Sequence, residues 1–208
     1  RNMLSVRSSL RESESELKVL EKARDAHEGF FQGVKFLLAQ KEQNPEEWDD
    51  IYGVVADLIE VPKQYQLPVE IALGASLQYI VVENSKTANR CIQLLKQHNL
   101  GRVSFIPLDM IQVPDKNPKL RQAVSAPNVI GELVELIRFH PVVDRAIRFL
   151  LQNTILTRDL STAVDLKKKG ISVRYVSMEG DLVNPSGLIS GGSVKSSGLL
   201  ERKGEIET

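Results

Sequence analysis

The sequence is poor in several things that specialised proteins need. It has one cysteine, Cys91, in 208 residues, so no intrachain disulfide can form and a disulfide-stapled secreted scaffold is excluded. Aromatic residues make up 5% of the chain, too few for an extended base-stacking surface. Charge of neither sign dominates, since 27 Lys and Arg balance 27 Asp and Glu. That balance removes chain-wide attraction to nucleic acid but leaves room for a local basic face. No apolar run approaches the roughly 20 residues that cross a bilayer, and no signal-peptide pattern is evident. The expectation is a soluble cytoplasmic chain with no membrane partner. What is present, 42% apolar and 26% charged residues, is ordinary for a globular protein. A chain of 208 residues is long enough for one domain, or two intimate subdomains, to build a core without a metal.

Catalytic patterns are scarce too. The glycine-rich stretch Asn184 to Gly192, NPSGLISGG, lacks the Lys and Ser or Thr order of a phosphate-binding P-loop and the GxGxxG spacing of a dinucleotide turn. His27, His98 and His140 are isolated in the sequence and make no local zinc pattern. Cys91 and His98 are seven residues apart on one apparent helix, two turns and beyond direct hydrogen-bond reach. The acidic run EEWDD, residues 46 to 50, reads as a surface charge cluster. Ser76, Ser190 and Ser193 sit in no nucleophile elbow or triad order. No catalytic residue, metal ligand or cofactor site is expected. A small intracellular α/β ligand-processing enzyme, its chemistry assembled from distant residues, stands as the alternative reading.

Residues 1 to 28 contain no proline, glycine or aromatic residue. Met3, Val6, Leu10, Ser13, Leu17, Leu20, Arg24 and His27 recur at alternating intervals of three and four, which draws the narrow stripe of a coiled-coil seam. From Gly29 onward the pattern alternates between strand and helix. Tyr79 to Glu83 and Arg102 to Leu108 read as strands around a helix from Thr87 to His98. Pro68 suits the start of another helix. A looser stretch, Asp109 to Asn128, divides this region from a second one. There, VIGELVELIRFHPVVDRAIRFLLQ predicts helices separated near His140 and Pro141. TILT is a strand, Asp159 caps a helix that ends near Gly170, and SVRYVSME is a further strand. No internal repeat is evident. The fold class is mixed α/β, in two closely packed subdomains.

The segments GFFQGVKFLL, IYGVVADLI, VEIALGASLQYIVVE, GRVSFIPLD and EGDLVNPSGLISGG occur in an order that resembles the hinge domain of the structural maintenance of chromosomes (SMC) family, particularly a bacterial one. The resemblance covers roughly residues 29 to 195. It implies an amino-side coiled-coil stem over 1–28, hinge subdomains over 29–126 and 127–198, and the start of a carboxyl-side stem over 199–208. It further implies a non-catalytic homodimerising hinge that joins two long arms of a chromosome condensation and segregation ATPase. ATP and Mg would act only at distant heads, which would also bind accessory subunits, and the protein would associate with the nucleoid. Gly187 matches one of the family's first glycine pair, and Gly191 and Gly192 match the second. Ser186 stands where the family has glycine. Glycine lets two backbones approach closely, so the expected dimer interface is Ser186, Gly187, Leu188, Ile189, Gly191 and Gly192. Expected contacts to double- or single-stranded DNA, without base specificity, are Lys116, Lys119, Arg121, Lys167, Lys168, Lys169, Lys195, Arg202 and Lys203.

Overall fold

A computed structural model describes residues 30–193 and 199–200. The stems expected over 1–28 and from 199 onward lie outside the described residues, except for Leu199 and Leu200, which are helical.

Helix α1 (Gln32–Gln43) leads to strand β1 (Ile51–Val54), a helical turn α2 (Val55–Leu58) and the short strand β2 (Ile59–Glu60). Helix α3 (Gln66–Leu73), strand β3 (Ile80–Val82), helix α4 (Ser85–Gln97) and strand β4 (Phe105–Pro107) follow. The second half holds α5 (Leu120–Val124), β5 (Val129–Glu132), β6 (Arg138–Phe139), α6 (Asp144–Leu151) and β7 (Thr154–Thr157). It ends with α7 (Leu160–Lys168), β8 (Arg174–Ser177), β9 (Leu182–Val183) and β10 (Ile189–Ser190). The strands form sheets of order β1-β3-β4 and β10-β9-β8-β7-β5, and β2 pairs with β6 between the two halves.

Strand periodicity decides where the cores sit, because successive side chains point to opposite faces. In β3, Ile80 and Val82 pack under α1 and α4 with Leu37, Cys91 and Leu95, whereas Val81 points the other way. In β7 and β8, Ile155 and Tyr175 pack under α5 and α7, and Leu156 and Val176 face the opposite side. The inward faces of both sheets meet in one central cluster with Val69, Leu73, Leu133, Ile147 and Leu151. Each half therefore has a private core, and the two halves share a third. Side-chain caps set the starts of α4 and α7. Asn84 accepts from the Thr87 amide at 3.0 Å, and Asp159, as expected, accepts from the Thr162 amide at 2.8 Å.

The halves are built alike, which corrects the expectation of no internal repeat. IYGVVADLI, residues 51–59, and VIGELVELI, residues 129–137, each enter a sheet antiparallel to the next long strand, with a register irregularity at Ile51/Gly53 and at Val129/Gly131. Gly53 adopts φ +144°, where Leu58 packs 3.5 Å from the position of a Cβ. The parallel pairs β3–β4 and β7–β8 complete the likeness. The identical positions are few, and the changes between them include Val54 against Glu132, so the repeat is legible only once the strands are aligned.

A second correction concerns residues 129–139. The i, i+3, i+4, i+7 spacing of Ile130, Leu133, Val134 and Ile137 imitates an amphipathic helix. The segment instead forms β5, a 3-10 turn over Leu133–Leu136 and β6. Pairing with β7 ties β5 into the sheet along one side, and the turn buries Leu133 and Val134. Tertiary packing outweighs a pattern whose local preference is weak. The helix expected after Pro141 is present as α6.

Candidate interaction surface

The glycine stretch forms a hairpin at the edge of the larger sheet. After β8, the turn Ser177–Asp181 closes with the Gly180 amide on the Ser177 carbonyl at 3.0 Å and the Ser177 amide on the Asp181 carbonyl at 2.8 Å. Strand β9 then runs into Asn184-Pro185-Ser186-Gly187. The Gly187 amide donates to the Asn184 carbonyl at 2.9 Å, and Pro185 supplies the fixed φ suited to the second position of a turn. Gly187 itself has φ +95°, which a side chain would oppose. The Asn184 amide returns to the Leu188 carbonyl at 2.8 Å, which places Ile189 opposite Val183 and Ser190 opposite Leu182.

Strand β10 is the outer strand of its sheet, so one row of its backbone groups has no strand partner among the described residues. Cross-strand partners share a face. Val183 belongs to the core under α7, and Ile189 therefore carries that apolar face out to the sheet's open edge. Leu188 is 62% exposed and Ile189 49%. An open edge with exposed branched apolar side chains favours pairing with another strand. Gly191 follows immediately, exposed along the edge, and a Cβ there would overlap Asp181 Oδ1. Gly192, at φ +126°, has open space around it. Ser186, Gly187, Leu188, Ile189, Gly191 and Gly192 thus occupy one continuous exposed edge.

Two of the basic clusters come together. Lys119 reaches across to the Gly170 carbonyl at 3.1 Å, joining the segment 116–121 to the end of α7. Lys167 donates to Ser172 Oγ at 2.8 Å and to the Pro185 carbonyl, so it braces the tip of the glycine hairpin. Lys116 lies 3.5 Å from Glu132. Arg121, Lys168 and Lys169 are exposed, and no ion pair engages them among the described residues. Lys195, Arg202 and Lys203 lie outside the described residues.

The groups considered for catalysis have structural surroundings. Cys91 is fully buried, and burial pushes its thiol up to about 11, away from the thiolate that a nucleophile needs. His98 packs against Phe36 with ring centroids 5.0 Å apart. His140 Nδ1 accepts from the Val142 amide at 3.2 Å. Within EEWDD, Trp48 is buried, Arg90 lies over its ring at 4.2 Å, and Asp50 pairs with Arg90 at 3.0 Å. Among the described residues no group of three or more His, Cys, Asp or Glu is placed to hold a metal ion, and no helix is long and apolar enough to cross a membrane. Sequence reasoning missed Asp181 and the bracing role of Lys167. The only signal for Asp181 was the EGD turn before β9, whereas that for Lys167 is purely tertiary.

Residues 49–167 match the family model described as the SMC proteins flexible hinge domain. The match ends at Lys167, before β8 to β10. The chain is 36% identical to the chromosome partition protein Smc of Desulfitobacterium hafniense over 100% of this chain and 17% of that protein. It is 37% identical to that of Bacillus subtilis over 95% of this chain and 17% of that protein. The chain thus spans about one sixth of the length of these relatives. Among solved structures, an asymmetric dimer of the Geobacillus stearothermophilus SMC hinge domain superposes with a TM-score of 0.85 at 33% identity, covering 98% of this chain and 81% of that one. The Pyrococcus furiosus SMC hinge domain gives 0.62 at 29% identity, over 88% and 94%.

Proposed function

The chain belongs to the SMC flexible-hinge family, and on that premise we propose that it is a non-catalytic homodimerisation hinge whose interface is the β9–β10 edge. The observation that carries the reading is the open strand β10, with Leu188 and Ile189 exposed between glycines that keep the backbone accessible. A second copy supplies the strand and apolar partners that this edge lacks among the described residues, a form of β-augmentation. The dimer described for the Geobacillus hinge supports the same reading.

In this role the chain joins two coiled-coil arms, entering near Phe30 and leaving near Leu200. ATP and Mg act at heads elsewhere in the longer protein, which also recruit accessory subunits. On this reading the whole protein partitions chromosomes, which is what the names of the relatives say of them, and it associates with the nucleoid. Light scattering across protein concentration tests the proposal. The expected mass is twice 23.2 kDa at high concentration, falling on dilution. A mass fixed at that of one chain would refute it.

DNA is a second partner in this reading, favoured by the convergence of Lys119 on the end of α7. Phosphate density, rather than base sequence, is what lysines on a surface read.

A further inference from the structure

The two ends of the described hinge are held by one short segment. The carboxyl-side end is fixed by α3. Glu70 on that helix is 7% exposed, and its Oε1 accepts from the Leu200 amide at 3.1 Å across 130 residues of sequence. Gln66, one turn earlier, donates to the Leu200 carbonyl at 3.4 Å. The Leu200 side chain is 3% exposed and enters the central core. The amino-side end is fixed by the 3-10 turn that continues α3, Gly74–Gln78. There, Gln78 Oε1 accepts from the Phe31 amide at 2.7 Å. Phe30 packs against the same central cluster that holds Leu199 and Leu200.

We propose that residues 66–78 are a common anchor for both flanking segments, with Glu70 the positioning residue that fixes where the carboxyl-side segment leaves the hinge. Placing a carboxylate in an apolar core is unfavourable unless it is hydrogen-bonded, and the Leu200 amide supplies a directional bond that an apolar neighbour would not. Gln66 and Glu70 hold both the amide and the carbonyl of one residue, which sets its orientation as well as its place. Phe30 and Leu200 belong to one packed cluster, and that cluster is the route by which loosening one root should reach the other. The consequence, a fixed angle between two arms, rests on the hinge reading; the anchor is tested without it.

The test is amide hydrogen exchange by NMR on the full 208-residue chain. Glu70→Leu should speed exchange of the Leu200 amide at least tenfold and of the Phe31 amide severalfold. Glu70→Gln, which keeps a side-chain acceptor, should give a smaller change at both. Gln78→Ala read in the other direction should speed Phe31 strongly and Leu200 detectably. The amides of Ile155 and Leu156 in β7 report whether the fold is intact. If Glu70→Leu loosens them too, Glu70→Gln and Gln78→Ala decide the question. Unchanged exchange at Leu200 in an intact Glu70 variant overturns the anchor. A response confined to the mutated root overturns the common anchor. A failure of the chain to dimerise would leave these outcomes unaffected, so the two ideas fail separately.

Discussion

The Asp181 carboxylate occupies the space that a side chain on Gly191 would need. A Cβ there would overlap Oδ1 and stand 3.3 Å from Cγ. Asp181 is not free to swing away without loss, because its Oδ2 accepts from Ser177 Oγ at 3.0 Å, and Ser177 Oγ accepts from the Asp181 amide at 2.9 Å. Gly191→Ala should therefore destabilise the fold by about 1–3 kcal/mol, the usual range for overpacking. The cost should shrink in an Asp181→Ala background. Urea unfolding of the four proteins of this double-mutant cycle measures the coupling, and additive costs would show that the two sites are independent.

The same geometry decides which variant tests the dimer. Gly191→Asp would set a second carboxylate against Asp181 and so disturb the hairpin as well as any partner. Ile189→Glu and Leu188→Glu change exposed side chains instead, and their effect on the stability of the single chain should stay within about 0.5 kcal/mol. Burying an unpaired carboxylate at an interface is unfavourable. Each variant should weaken dimerisation at least tenfold in light scattering or sedimentation. A folded Ile189→Glu protein with an unchanged dilution curve would place the interface elsewhere.

The sequence makes visible whatever local chemistry decides. The cap that Asp159 places on α7, the strands at Ile80–Val82 and Thr154–Thr157, and the turn residues Pro185 and Gly187 all follow from residue type. Where long-range pairing decides, the sequence misleads. Ile130, Leu133, Val134 and Ile137 carry a helical period, yet β5 exists because β7 lies beside it. The candidate edge shows the same division. Its glycines are legible as permissive backbone, but Asp181 behind Gly191 and Lys167 on Pro185 become neighbours only after β8 and α7 pack together. Lys119 beside Gly170 likewise depends on α5 docking through Leu120 and Ala123.

The basic surface is testable by its salt dependence. Lys168 and Lys169 are exposed near the end of α7, whereas Lys167 and Lys119 are engaged with carbonyls of the chain. Lys168→Glu with Lys169→Glu should therefore weaken DNA binding while leaving the hairpin in place. The slope of log affinity against log salt should fall by roughly one for each phosphate that is no longer neutralised. Lys167→Met should instead disturb the hairpin tip, read as faster exchange of the Gly187 amide. Binding that differs strongly between two DNA duplexes of equal length and unrelated sequence would contradict recognition through phosphates.

Burial of Cys91 makes stability fall at alkaline pH. In the unfolded chain its thiol ionises near the ordinary value of 9.0, whereas burial in the folded protein raises it to about 11. The folded state therefore binds the proton more tightly. Its contribution is fully present below pH 9 and is lost as pH rises through about 11, because the unfolded state gains the thiolate first. Within that window the loss approaches about 1.4 kcal/mol per pH unit. Tyr175, pushed up to about 12 by burial, adds a similar loss that begins a unit higher. Denaturation midpoints measured from pH 8 to pH 10.5 should fall more steeply for the wild-type chain than for Cys91→Ala. That variant begins from a lower stability because it leaves a small cavity under α4. Parallel pH curves for the two proteins would mean that the thiol ionises equally in both states and that the core around Cys91 admits water.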